Sequence, residues 1–247
     1  MRKSTSTSAS KGFRLVYFLT TAVFLIFSTA LLARSAELRR GNAFYRRTEK
    51  ISEAPAGDTA LTEAQLLSRQ LARFAEKHPD TAIWLRLPDT PLDHPVMLGE
   101  DNQFYLDHLP DGRKNALGSL FLDCRTGKDS QHLIVYGHNG PGEAMFGFLK
   151  EYGSQDYFLE HRTLTVTTPD SVYLCPIFSV RWVEADSDAY RLEFEDGDLA
   201  DYMEQAAEDS IYRIDVDLGQ AEKVLTLSTC SGRGSRRLIV QAMMVQA

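Results

Sequence analysis

The sequence predicts a mainly β fold, a barrel or a sandwich, formed by a single domain. From Thr81 onward, short apolar segments, several of them with alternating apolar and polar residues, are separated by Pro, Gly, Asp and Asn. The predicted strands are Ala82–Leu87, Pro95–Leu98, Gly118–Leu122, Leu133–Tyr136, Thr163–Thr167, Ser171–Val183, Lys223–Ser228 and Leu238–Val245. Two amphipathic helices accompany these strands.

The first helix is predicted to begin at Thr62, which has the spacing of a capping box with Gln65. Pro79 ends the run, and its apolar residues at helical spacing are Leu67, Leu71, Phe74 and Ala75. The second helix precedes the strand at Lys223, and Asp196 or Asp198 is expected to cap it. Its apolar stripe consists of Leu199, Tyr202, Met203 and Ala206.

The N-terminal segment predicts a membrane anchor. Residues 15–33 contain no charged side chain, and a helix of that length crosses a bilayer. Basic residues in 1–14 place that end in the cytoplasm, although Arg34, Arg39 and Arg40 oppose this orientation. We expect residues 34–60 to form a juxtamembrane stalk and linker, and 61–247 to form a domain on the extracellular face of the cell membrane. A cleaved signal peptide is the alternative.

Composition excludes several classes of function. The net charge of −7 argues against a nucleic-acid partner, because such domains carry a basic face. The chain has three cysteines, Cys124, Cys175 and Cys230. This small and odd number is not typical of a disulfide framework. No Cys-x-x-Cys or His-Glu-x-x-His spacing and no phosphate-binding glycine loop is present, so neither a metal nor a cofactor is predicted.

Cys230 is the candidate nucleophile. It ends the apolar segment Val224–Cys230, and the small polar loop Ser231–Ser235 follows it. A basic residue then opens the next strand at Leu238. A guanidinium stabilises negative charge on a thiolate or on a carbonyl oxygen under attack. A buried, unreactive cysteine at a strand end is the common alternative.

His138 is the candidate base for such a thiol. It follows the apolar run Leu133–Tyr136 and is flanked by Gly137 and by Asn139–Gly140, so the imidazole is expected at a strand end where glycines allow another chain to approach closely. A single histidine in a turn is more often structural. That structural role is expected for the remaining histidines: His78, His94, His108, His132 and His161.

Together these segments resemble the sortases, which are cysteine transpeptidases on the surface of Gram-positive bacteria. Thr226–Cys230 with Arg237 resembles their Thr-Leu-x-Thr-Cys and arginine, and Tyr136–Asn139 resembles their histidine segment. The likeness extends to class B through three further segments, namely Asp101–His108, Gly118–Asp123 and Met145–Leu149. A helix just before the cysteine strand also fits class B.

The resemblance implies an eight-stranded β-barrel with an N-terminal helix and a helix between strands six and seven, preceded by a transmembrane helix. It implies Cys230 as the nucleophile, His138 as the acid and base, and Arg237 as the group that stabilises the oxyanion or positions the substrate. Arg236 is the alternative to Arg237, because neighbouring strand side chains point to opposite faces. Substrate contacts are expected from Ser228, Thr229 and Asn139.

The function implied is cleavage of a C-terminal sorting signal on surface proteins through a cysteine thioester, and transfer of the protein to an amine of the cell-wall precursor. A pilin-polymerising enzyme with a lysine acceptor, a hydrolytic cysteine peptidase and a non-catalytic surface-binding domain are the alternatives. Two cysteines receive no catalytic role. Cys124 stands where many relatives have an aromatic residue, and Cys175 is expected to be a core thiol on a strand.

Overall fold

A computed structural model of the chain describes residues 7–52, 62–127, 130–139, 145–195, 197–230 and 236–247. For residues 7–12, 49–52 and 230 the description is of the backbone. The chain divides into two compact units, Met1–Arg40 and Gly41–Ala247.

Helix α1 spans Thr7–Ser52 and contains the predicted anchor. Its apolar side chains between Phe13 and Leu32 are exposed, and the helix is long and apolar enough to cross a membrane. From Gly41 the same helix belongs to the second unit, inside the segment expected to be a stalk. There Tyr45 and Thr48 are buried, so this part of α1 packs as a folded element.

Eight strands close into one barrel in the order β1-β2-β3-β4-β7-β8-β6-β5. The pairs β2–β3 and β4–β7 are parallel, and the other neighbours are antiparallel. The strands are β1 Thr81–Arg86, β2 Asp93–Met97, β3 Leu120–Leu122, β4 His132–His138, β5 Thr163–Thr167, β6 Val172–Glu184, β7 Lys223–Cys230 and β8 Arg236–Gln246. The predicted fold class, strand number and helix placement are confirmed.

Three further α-helices lie outside the barrel wall: α2 Glu63–Ala75, α3 Gln155–Glu160 and α4 Asp198–Glu208. The capping box of α2 is present, with Thr62 and Gln65 bonded to each other's backbone N–H groups. Short 3₁₀ helices occupy Phe104–Leu106, Gly147–Gly153, Asp188–Tyr190 and Leu218–Gln220.

The predicted cap of α4 is wrong. Gly197 is the N-cap, and its φ of 92° is in the left-handed region that favours glycine. Asp198 lies in the first turn instead, where its negative charge interacts favourably with the helix dipole. Asp196 lies outside the described residues.

The core continues from the barrel under α4. Tyr202, Met203 and Ala206 of this helix pack against Phe178 and Val224 of the barrel strands. The stripe predicted for α4 is therefore the face that fixes the helix to the strand carrying Cys230. Cys175 is a buried thiol on β6, as expected, and burial raises its pKa to about 12, which keeps it protonated and unreactive.

Candidate active site

The parallel pairing of β4 with β7 brings His138 and Cys230 together. The register runs from His132 opposite Val224 to His138 opposite Cys230, where both strands end. Paired strands lie about 4.8 Å apart, so the two backbones are direct neighbours although 92 residues separate them in sequence.

The antiparallel pairing of β7 with β8 adds the arginine. The ladder ends with Ser228 opposite Ile239, so the last residues of β7, including Cys230, and the first residues of β8, including Arg237, lie at the same end of the sheet. Arg236 is exposed, and its Nε lies 3.9 Å from Oε1 of Glu184. The two neighbouring arginines therefore differ in environment, as strand alternation requires.

Arg237 is half-buried and belongs to the site rather than to solvent. Its guanidinium carbon lies 5.9 Å from the centre of the Tyr190 ring, within the range of a cation–π contact. Its Nε is buried and has no hydrogen-bond partner among the residues that the structure describes. Because an unpaired buried donor is costly, this N–H group favours an incoming acceptor such as a carbonyl oxygen.

The imidazole of His138 is held by the backbone carbonyl of Leu106, a contact that was not predicted from the sequence. Nε2 lies 2.5 Å from the Leu106 oxygen. A carbonyl only accepts, so Nε2 carries a proton, and Nδ1 is the nitrogen left for other chemistry. Leu106 ends the 3₁₀ helix Phe104–Leu106, and at the start of this helix the N–H groups of Gln103 and Phe104 donate to Oδ1 of Asp101.

Gly137 allows the histidine segment to lie close to the barrel interior. A Cβ at this position would lie 2.5 Å from a Leu120 methyl and 2.7 Å from the Phe146 ring. The loop that follows is anchored at both ends, since Asn139 bridges to Met145 and the Phe146 N–H donates to the His138 carbonyl. Gly140, which the sequence places next to Asn139, lies outside the described residues.

The three residues expected to contact substrate lie in different environments. Ser228 is fully buried, and its hydroxyl lies 2.9 Å from the Tyr190 hydroxyl. Thr229 is buried with 7% of its surface exposed. Asn139 is exposed at the end of β4. Of these three residues, only Asn139 is open to solvent. Ser228 instead holds Tyr190, a residue that lines the site, through its hydroxyl.

Tyr190 lines the site together with Tyr136. Their rings stack with centroids 6.3 Å apart and an interplanar angle of 22°. Tyr136 pairs across the strands with Ser228, two residues before the His138–Cys230 pair, so its side chain lies on the same face of the sheet. The segment between β6 and β7 therefore packs, through Tyr190, against the β4–β7 pair close to the strand ends.

A cavity of about 610 Å³ opens beside these two tyrosines. Arg125 donates two hydrogen bonds to the Asp123 carboxylate, of 2.9 and 2.8 Å, and the Tyr136 hydroxyl donates a third of 3.1 Å. Burial opposes ionisation of Asp123, but the bonds from Arg125 outweigh it and lower the pKa of the carboxyl to about 2. The cavity is therefore lined by an ionised carboxylate and a guanidinium at neutral pH, beside the two tyrosine rings.

Sequence reasoning gave no role to Leu106, Tyr190 or the Asp123–Arg125 pair. Leu106 and Asp123 lie in segments whose resemblance was noted, so a signal was present, but no pattern shows which carbonyl meets an imidazole. Tyr190 lies in a connection without periodicity. The polar turn predicted at Ser231–Ser235 lies outside the described residues.

A metal centre finds no support in the described part of the chain. Among those residues, no group of three or more His, Cys, Asp or Glu side chains is placed to hold an ion. The site offers a strand-end thiol position, an imidazole with a fixed proton and a half-buried guanidinium. Those groups suit nucleophilic attack on a carbonyl carbon.

Comparison with known proteins identifies the family. A model of the sortase domain matches residues 85–245. Sortase B of Listeria monocytogenes is 30% identical over 197 residues, covering 76% of this chain and 79% of that protein. Sortase B of Staphylococcus aureus is 25% identical over 239 residues, covering 94% and 96%.

A solved structure agrees in fold. Sortase B from Bacillus anthracis in complex with AAEK1 superposes with a TM-score of 0.74 at 24% identity, over 86% of this chain and 99% of the other. The predicted family is confirmed, and the chain belongs to the class B sortases, which are cysteine transpeptidases.

Proposed function

We propose that this enzyme is a membrane-anchored transpeptidase in which Cys230, His138 and Arg237 carry out the reaction. It cleaves a C-terminal sorting signal and transfers the protein to an amine of the cell-wall precursor. The observation that carries the proposal is the β4–β7 register, which pairs His138 with Cys230 where the strands end.

Acylation begins with the Cys230 thiolate attacking the carbonyl carbon of the scissile peptide bond. The guanidinium of Arg237 donates hydrogen bonds to the oxygen as negative charge develops there. The C–N bond breaks, His138 donates a proton to the leaving amine, and the thioester remains. The bond from Nε2 to Leu106 supports this role because it orients the ring and leaves Nδ1 for the transfer.

Deacylation uses the same groups in reverse. The acceptor amine attacks the thioester carbon, His138 takes its proton, and the thiolate leaves as the new amide bond forms. Transfer rather than hydrolysis requires that the amine reaches the thioester before water does. The stacked rings of Tyr136 and Tyr190 support this requirement because they place apolar surface close to the strand ends.

A direct substrate contact is proposed at Asn139, from its exposed position beside His138, whereas the buried Ser228 and Thr229 are proposed to act on the substrate indirectly. Ser228 contributes by holding Tyr190, and Thr229 by placing the strand next to Gly137. We assign residues 15–33 as the membrane anchor, 1–14 to the cytoplasm, and the barrel domain to the extracellular face, where sorting-signal proteins and the precursor amine are available. The exposed apolar helix supports the anchor, and the basic residues that precede it support the cytoplasmic side for residues 1–14.

The test is a transpeptidation assay on the full chain in detergent micelles. A pool of synthetic peptides bearing short C-terminal sorting signals is supplied with triglycine, and products are identified by mass spectrometry. We expect a product in which triglycine replaces the residues after the cleavage point. Cys230→Ala and His138→Ala should each lower its rate by about 10³-fold or more.

Cys124→Ala is the matched control, because it removes a half-exposed thiol that has no role in the proposed reaction. It should retain wild-type activity. Equal product yields from wild type and Cys230→Ala would refute the proposed nucleophile, and a product formed only with water would replace transfer by hydrolysis.

A further inference from the structure

The C-terminal part of α1 docks on the barrel domain through one face. Gly41, Tyr45 and Thr48 are buried and lie one helical turn apart. A Cβ on Gly41 would lie 2.7 Å from Oδ1 of Asn115, so glycine permits the helix to approach the turn before β3. The helix end is thus fitted to this turn.

The hydroxyl of Tyr45 makes the polar contact of this docking face. It lies 3.0 Å from the Gly118 carbonyl oxygen and 3.1 Å from Oγ of Ser119. Only 3% of the residue is exposed, and burial raises the pKa of the phenol above its ordinary value. The group therefore stays neutral and remains a donor. Its ring packs on His94, with centroids 4.8 Å apart.

The Gly118–Ser119 turn in turn holds the segment Tyr105–His108. The Ser119 N–H donates to the Tyr105 carbonyl at 2.9 Å, and its hydroxyl donates to the His108 carbonyl at 2.8 Å. Gly118 has a φ of 63°, and a Cβ there would lie 2.5 Å from the Leu106 oxygen. The turn consequently lies directly against the carbonyl that binds His138.

The Leu106 carbonyl completes the path, since it accepts from Nε2 of His138. Each step from Tyr45 to the imidazole is a hydrogen bond or a close backbone contact among described residues. A tilt of the Gly118–Ser119 turn would move the Leu106 oxygen, and the imidazole would lose its fixed orientation. A substitution far from the reacting atoms that displaces a catalytic group only slightly can still lower the rate strongly.

We propose that Tyr45, at the end of the anchor helix, is a positioning residue for His138. It fixes the Gly118–Ser119 turn, which sets the Leu106 carbonyl and thereby the orientation of the imidazole. This inference rests on the proposed role of His138 as acid and base. The structure further implies that the segment from Gly41 is part of the working enzyme, not only a tether.

The experiment compares Tyr45→Phe with Tyr152→Phe in the full chain in detergent micelles. Tyr152 is the matched control because it is also fully buried, and its hydroxyl donates to the His161 carbonyl at 2.8 Å, outside the path to His138. Tyr45→Phe removes a hydroxyl with two hydrogen-bond partners and Tyr152→Phe removes a hydroxyl with one, and both variants should lower the melting temperature. Assays run well below both melting temperatures.

Tyr45→Phe should lower kcat for triglycine transfer by between about fivefold and about a hundredfold, with KM for the peptide pool little changed. It should also shift the pH–rate profile and speed the exchange of the His138 Nε2 proton observed by NMR. Tyr152→Phe should change none of these three quantities. Ser119→Ala removes the hydroxyl that contacts Tyr45 and the His108 carbonyl, so it should behave like Tyr45→Phe. It replaces Tyr45→Phe in the comparison if that variant folds poorly.

The proposal is overturned if Tyr45→Phe and Ser119→Ala keep the wild-type kcat, pH profile and proton exchange while only their melting temperatures fall. That outcome would make the docking purely structural. Failure of the proposed function is a separate result, because it would appear as retained activity in His138→Ala whatever Tyr45→Phe does.

Discussion

At the scale of single residues, the two arginines at the start of β8, Arg236 and Arg237, differ clearly in environment. They are adjacent in sequence, yet one pairs with Glu184 in solvent and the other lies half-buried over Tyr190. The sequence left Arg236 open as the alternative to Arg237. The environment of each side chain favours Arg237, since only its buried Nε lacks a partner among the described residues at this end of β8.

Arg237→Ala should therefore lower kcat/KM by about 10²- to 10³-fold, the range typical of losing an oxyanion donor. Arg236→Ala, the matched control, removes an exposed ion pair of small energetic value and should stay within about threefold of wild type. Steady-state kinetics with the peptide pool and triglycine measure both. The reverse ranking of the two variants would transfer the role to Arg236.

At the scale of elements, a buried polar network joins the catalytic strands to the β6–β7 connection. The side chain of His132 is fully buried on β4, with Nδ1 2.6 Å from the Arg191 carbonyl and Nε2 2.6 Å from the Thr226 hydroxyl. The carbonyl requires a proton on Nδ1, so the neutral Nε2 accepts from Thr226. Gln241 donates to Thr226 at 2.9 Å, which completes the pattern.

This network makes stability depend on pH. Burial, more than the charges of Arg181 and Arg191, lowers the pKa of His132 from 6.5 to about 4. As the pH falls, the unfolded chain therefore takes up a proton on His132 before the folded chain does. The contribution of neutral His132 to stability is complete above about pH 6.5 and is lost towards about pH 4. A shift of this size corresponds to a loss on the order of 3 kcal/mol.

Urea unfolding between pH 7.5 and pH 4 measures this dependence. His132→Gln should be less stable than wild type at pH 7.5 but should lose less stability on acidification. His94, whose pKa burial also lowers to about 4, keeps titrating in the variant, so some pH dependence remains. The same stability loss in wild type and His132→Gln would contradict the assigned tautomer and burial.

At the scale of the whole molecule, periodicity predicted the strands because each has one buried face or a short apolar run bounded by turn residues. The strand at Leu133–Tyr136 was predicted three residues shorter than β4. His132 and Gly137–His138 are polar or small, and they belong to the strand only through the backbone pairing with β7. The catalytic pairing itself is such a long-range register, which local patterns do not encode.

The role of the helix end was also hidden from the sequence. The segment 34–60 is polar and contains Pro55 and Gly57, which is typical of a linker. Tyr45 is buried because a turn 73 residues later offers its hydroxyl a carbonyl, and this contact has no local signal. Cys230, His138 and Arg237 were recognisable because their residue types and flanking strands are themselves the chemistry of the site.

The central claim is that Cys230 forms an acyl-enzyme, and intact-protein mass spectrometry tests it most directly. The full chain is mixed with the sorting-signal peptide pool without an amine, and the adduct is mapped by digestion. We predict a thioester adduct on Cys230 that disappears when triglycine is added, with the peptide recovered as its triglycine amide. An adduct on Cys124 or Cys175, or no adduct while transfer product still forms, would contradict the account.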